Sequence, residues 1–279
     1  MRTSRVCAAV GAAVSAAMLA VSPAPANAAD FGYGSVKDIP PPPPSGRAWY
    51  LKGTIGMTNP EPGKLWTDEF SDGEFSVHHK DIKSGPLYGI GIGVEHSRWL
   101  RFDITGEYRG KQLFVAHDSY VNGDCSGGDP GEFCGSNEHS ANLSSWLGLF
   151  NAYIDLGTWH GVTPYVGGGV GLSAINVMGY KDVNVPAGGF AYAVKDKTTT
   201  NFAWAVYGGL SYDVTDRFTL DLGYRYTDLG SVKTGGVRTY DDAEVLSPLE
   251  IRDITSHDLL FSARYRLGNP APMYPVAMK

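Results

Sequence analysis

Two rhythms constrain this chain: side chains alternate with period two along eight segments, and the connections between those segments alternate between short and long. Period two marks a strand with two different faces. It is clearest over 218–226, where Phe218, Leu220, Leu222, Tyr224 and Tyr226 share one face and Thr219, Asp221, Gly223 and Arg225 the other. A helix would scatter both sets. The last segment repeats the pattern, with Leu259, Phe261, Ala263, Tyr265 and Leu267 opposite Asp258, Leu260, Ser262, Arg264 and Arg266. Trp49, Leu51 and Ile55 define the first segment, Tyr88, Ile90, Ile92 and Val94 the second, and Phe102, Ile104 and Tyr108 the third. Trp146, Phe150, Ala152, Ile154 and Leu156 define the fourth, Val166, Val170 and Leu172 the fifth, and Trp204, Val206, Leu210, Tyr212 and Val214 the sixth. The fourth is irregular, because Leu147 and Leu149 fall on the side that elsewhere is polar.

Short connections at 96–99, 157–162 and 215–217 carry the turn residues Ser97, Gly157, Gly161 and Asp216. Long ones cover 58–84, 110–140, 174–200 and 227–253. A ten-residue strand rising about 3.3 Å per residue and tilted near 40° spans roughly 25 Å, the height of the apolar band of an outer-membrane barrel. Aromatic residues fall at both ends of such a band: Trp49, Trp99, Trp159 and Tyr265 on the short-turn side, Trp146, Trp204 and Tyr226 on the long-loop side. The expected fold is all-β, an eight-stranded antiparallel up-and-down transmembrane β-barrel with short periplasmic turns and long extracellular loops. The rival is a soluble lipocalin-like barrel with its apolar face turned inward. Against it stand the two aromatic bands and a polar face rich in glycine and poor in lysine.

The chain has 36 glycines, 12% aromatic and only 19% charged residues, a thin charge cover for a surface meeting water. The longest apolar run is N-terminal and follows Arg2 and Arg5; it leads to Ala26-Asn27-Ala28, an A-x-A cleavage site. The expected organisation is a signal peptide over 1–28, a Pro-rich periplasmic leader over 29–46, the barrel over 47–267 and a C-terminal periplasmic tail over 268–279. Pro40 to Pro44 favour an extended leader that cannot donate to a ladder. Cleavage removes Cys7 and two arginines, which takes the net charge from −6 to −8 and argues against nucleic acid. Cys125 and Cys134 remain, an even pair in an exported protein, and are expected to form a disulfide; a metal site with His117 and His139 is the rival reading.

If the polar face lines the lumen, it carries Lys52, Arg101, Arg109, Arg225, Arg264 and Arg266 against Glu95, Asp103, Glu107, Asp155, Asp213, Asp221 and Asp258. Eight strands enclose a bore just wide enough for side chains to fill, so these charges are expected to pair and close it. A narrow channel for small solutes is the second reading. No constellation supports an enzyme: the one His-x-Ser, His117-Asp118-Ser119, lies in a long connection, and the acids around His78 and His79 follow no metal-ligand spacing. No cofactor and no metal is expected. The long connections together hold nine more acids than bases, a surface that attracts divalent cations and basic partners.

From Trp49 to Leu267 the chain resembles the small outer-membrane β-barrel surface antigens of alphaproteobacteria, sometimes labelled opacity-like or "porin family" proteins. The matching features are the signal ending Ala26-Asn27-Ala28, the Trp49-Tyr50 entry, the stretch 163–171 (TPYVGGGVG) and the stretch 222–226 (LGYRY). The resemblance implies an outer-membrane location in a Gram-negative bacterium and a structural, envelope-supporting and surface-interaction role. It implies as partners outer-membrane lipid and lipopolysaccharide, the barrel-assembly machinery with periplasmic chaperones, and an extracellular ligand or host surface met through the loops. A lipid A-modifying enzyme is the remaining reading. One departure from the family is that the last strand is followed by residues 268–279 rather than ending the chain on an aromatic residue.

Overall fold

The computed structural model describes residues 48–68, 75–120, 135–185, 189–239 and 245–267. Among these residues thirteen strands form a single antiparallel sheet: β1 (Ala48–Glu61), β2 (Lys64–Trp66), β3 (Phe75–Ile82), β4 (Gly85–Glu95), β5 (Leu100–Tyr120), β6 (Gly135–Asp155), β7 (Val162–Asn184), β8 (Phe190–Ala193), β9 (Lys197–Asp213), β10 (Phe218–Lys233), β11 (Val237–Thr239), β12 (Val245–Leu246) and β13 (Glu250–Leu267). Eight of them close into a ring. β1 pairs with β4, and β5, β6, β7, β9, β10 and β13 follow in turn. β13 then returns to β1 over a ladder running from Trp49↔Leu267 to Glu61↔Thr255. Closure leaves no open edge, the condition for a sheet to sit in lipid.

At one end the ring strands are joined by tight turns. Residues 96–99 connect β4 to β5, 156–161 connect β6 to β7, and 214–217 connect β9 to β10. In the second turn Gly157, His160 and Gly161 have φ of 109°, 53° and 82°, the left-handed region that favours glycine.

The two faces follow the sequence alternation. Leu51, Ile55, Ile104, Phe150, Leu172, Phe202, Leu222 and Phe261 all point outward and are exposed, and Ile90 reaches 77% exposure. Each Å² of that belt costs roughly 25 cal/mol if left in water, so an apolar medium has to cover it. Inward on the same strands lie Thr54, Arg101, Asp103, Glu107, Arg109, Asp221, Arg225 and Asp258, all buried. This orientation excludes the soluble barrel with an apolar interior.

The long connections are mostly strand. β5 and β6 continue through much of 110–140, β7 and β9 through much of 174–200, and β1, β10 and β13 extend past the outer aromatic band. β3 adds to β5, β8 to β7 and β2 to β13. Within these extensions lie Ile82, Phe114, Ala141, Leu143, Ile175, Val177, Val232 and Ile251, which continue the buried apolar cluster of the bore. The sequence reading missed them because a bulge resets the phase. Between Arg109 and Gln112 the β5–β6 register shifts, so Arg109 and Gly110 are both buried. Past it the inward set becomes Gln112, Phe114, Ala116 and Asp118.

Candidate functional site

Side chains tie strands together across the bore in three levels. Nearest the short turns, Arg266 Nε donates to both carboxylate oxygens of Glu95 at 2.9 and 3.1 Å, and its Nη2 to Asp213 at 3.1 Å. Arg264 grips Asp221 through Nε and Nη2 at 2.8 and 3.0 Å and lies 3.5 Å from Glu95. Arg101 pairs with Asp155 at 3.1 Å and lies 4.6 Å from the ring centres of both Tyr153 and Tyr165. One level up, Asp103 accepts from Lys52 at 3.3 Å, Tyr50 at 3.1 Å and Asn151 at 2.7 Å.

The third level decides what the bore can do. Arg225 on β10 makes a bidentate pair with Glu107 on β5 at 2.7 and 2.6 Å. Three ring strands separate β10 from β5 in either direction, so this pair spans the diameter. Arg225 Nε also donates to Asp258 at 2.9 Å, and Arg109 holds the same carboxylate at 3.2 and 2.8 Å. Thr58 accepts from Arg109 at 2.7 Å, and Ser256 donates to Asp258 at 2.6 Å. Arg109, Arg225 and Asp258 are fully buried. Leu147 and Leu149, the apolar pair on a polar face, fill the space beside them, since their register partners are Glu107 and Thr105.

The thirteen lumen charges singled out from the sequence all point inward, each in at least one ion pair. Trp49, Trp99, Trp159 and Tyr265 are exposed at the short-turn end. Trp146 and Trp204 are exposed at the other, where Trp204 packs 5.6 Å from half-buried Tyr226. Cys125 and Cys134 lie outside the described residues, as do the expected signal peptide (1–28), leader (29–46) and tail (268–279).

Sequence reasoning missed a second polar cluster, in the outer hairpins. Asp118 of β5, His139 of β6 and Tyr180 and Asp182 of β7 meet above the bore. His139 Nε2 is bonded to Asp118, and its Nδ1 is 2.8 Å from the Tyr180 hydroxyl and 3.7 Å from Asp182. The imidazole stacks on the Tyr180 ring, with centres 5.9 Å apart and planes at 16°. Burial works to lower the His139 pKa, but the hydrogen bond to Asp118 and the charges of Asp182 and Asp118 outweigh it, so the net shift is upward. Neighbouring His117 faces outward, with the His78 ring 5.8 Å from it, and the Ser119 hydroxyl shares a hydrogen bond with His78 Nε2 at 2.5 Å. Among the described residues no three His, Cys, Asp or Glu side chains are gathered as a metal-ligand set.

A family model described as "Outer membrane protein beta-barrel domain" matches residues 7–265. An uncharacterized protein of Brucella suis biovar 1 (strain 1330) is 31% identical over 238 residues, covering 81% of this chain and 82% of that protein. Outer membrane protein PagN of Salmonella typhimurium is 31% identical over 84 residues, 30% of this chain and 34% of PagN. Among solved structures, the outer membrane protein OprG from Pseudomonas aeruginosa aligns over 81% of this chain and 98% of its own, with a TM-score of 0.51 and 10% identity. That likeness is one of fold.

Proposed function

This chain belongs to the outer membrane protein β-barrel domain family, and from that premise we propose that it is a closed, non-enzymatic membrane anchor carrying a folded platform of β-hairpins outward. Its role is to support the envelope and to present that platform to partners. The observation that carries this reading is the Arg225–Glu107 pair, which joins opposite strands of the ring and is locked by Asp258 and Arg109. A bore crossed by buried, ion-paired side chains opposes a continuous water path, and opening one would strand them unpaired.

The platform supports the partner-binding half of the reading. On the β7–β8 hairpin, well past the outer aromatic band, Val183 faces Phe190 across the ladder, and both are exposed together with Val185 and Val194. An apolar patch displayed on a surface otherwise biased toward acids suits a protein or glycolipid partner. The direct test is single-channel recording in planar bilayers with purified, refolded protein. No stable openings are expected; large, long-lived openings would overturn the closed-anchor reading. A deletion strain should show altered envelope permeability with an unchanged lipid A mass spectrum, whereas a lipid A mass shift would point to an enzyme instead.

A further inference from the structure

Above the bore, β5, β6 and β7 enclose with Val237, Leu246, Ser247 and Leu249 a cavity of about 20 Å³. That is room for one water-sized occupant. Its wall is rich in oxygen: Thr67, Asp118, Asn137, Tyr180 and Asp182 line it beside His139. Asp118 is fully buried, its Oδ2 is bonded to His139, and its Oδ1 has no hydrogen-bond partner. A buried carboxylate oxygen left without a partner is costly, and it stands here on the wall of a cavity.

From this we infer that the cavity is a binding site for a hard divalent cation of the calcium type. Charge argues for a cation. Among the described residues, His139 is the one basic group within ion-pair distance of Asp118. With the imidazole neutral, the Asp118 charge on this wall has no basic partner among the described residues, and Asp182 places a second carboxylate beside it. The connecting segments 69–74, 121–134, 186–188 and 240–244 contain nine carboxylates and no Lys, Arg or His, so their sequence supplies no side-chain cation. Donor chemistry argues for the class. Both nitrogens of His139 are engaged, Nε2 by Asp118 and Nδ1 by Tyr180, so the imidazole orients a carboxylate and is not itself a ligand. What remains is oxygen, which suits calcium or magnesium and not zinc or copper. Size separates these two, because magnesium holds several of its waters and this space takes a single occupant. Bound there, the ion ties β5, β6 and β7 into one rigid outer platform.

The test uses full-length protein refolded in detergent micelles free of lipopolysaccharide, stripped with EGTA and titrated with terbium. Tyr180, on the cavity wall, can sensitise terbium luminescence. The expected result is a saturable signal of about one equivalent, reversed by calcium and not by equal magnesium. Asp118→Asn should weaken binding at least tenfold. Asn137→Ala, which keeps the Asp118–His139 pair, should weaken it several-fold, with heat-modifiable migration reporting that both variants fold. Asp241→Asn with Asp242→Asn, in the acidic connecting stretch, should change nothing. The inference is overturned by an absent or non-saturating signal, by unchanged binding in Asp118→Asn and Asn137→Ala, or by loss of binding in the Asp241/Asp242 variant, which would move the ion to the loop tips.

Discussion

Asp258 accepts from two guanidinium groups that come from different strands, Arg109 of β5 and Arg225 of β10, and from the Ser256 hydroxyl. Burial makes each ion of this cluster expensive alone, and only the set offsets the cost. Asp258→Asn keeps the volume and removes the charge that both arginines share. It should lower stability by about 3–5 kcal/mol, the usual cost of breaking a buried pair from one side. The measurement is the urea midpoint of the refolded protein, and a shift of less than a quarter of that size would show that water, not Asp258, satisfies the arginines. At the opposite end a backbone constraint decides. Gly161 sits in the left-handed region with φ of 82°, and a Cβ there would meet the Tyr212 ring at 3.3 Å. Gly161→Ala is expected to cost about 1–2 kcal/mol by the same urea assay, from the left-handed conformation alone.

At the scale of elements, the outer hairpins of β5, β6 and β7 are clipped by one histidine. His139 has a raised pKa when folded, so the stability it contributes is full below its unfolded value of about 6.5 and fades as pH climbs through the raised folded value. In EGTA the urea midpoint should therefore fall as pH rises above about 6.5, and His139→Gln should flatten that slope. A slope unchanged in the variant would assign the effect elsewhere. This clip also marks where sequence reasoning stopped. The ring strands were legible because lipid and a packed bore impose opposite demands on alternate residues, as in Leu222 and Tyr224 against Asp221 and Arg225. Pairing partners were not legible. Asp118 and His139 lie near each other only through the β5–β6 register, which bulges between Arg109 and Gln112, and Asp182 joins through a β6–β7 register that bulges between Ser140 and Asn142. Each bulge shifts the phase by a residue, so alternation read straight through the membrane strands puts the wrong faces together above them. Leu147 and Leu149 looked irregular for a simpler reason: the bore is filled partly by apolar side chains.

For the molecule as a whole, closure of the ring is the event on which everything else depends, and it is made by the last strand returning to the first. The β1–β13 ladder begins at Trp49↔Leu267 and continues to Glu61↔Thr255, while β13 pairs on its other side with β10 from Phe218↔Tyr265 onward. Among the described residues both ladders close the ring by Leu267, and the family match ends at residue 265. Tyr265, exposed at the short-turn end, then stands as the final outward aromatic of the barrel. A chain truncated after Leu267 should refold into detergent and keep its heat-modifiable migration, because every ladder pair among the described residues is retained. In cells it should reach the outer membrane at near wild-type levels. Tyr265→Ala in the full-length chain should leave refolding in vitro intact but lower the amount assembled in the membrane several-fold, separating thermodynamic closure from recognition during assembly. If the truncated chain fails to fold while Tyr265→Ala assembles normally, the closing strand has been placed too early and the ring must be completed by residues beyond Leu267.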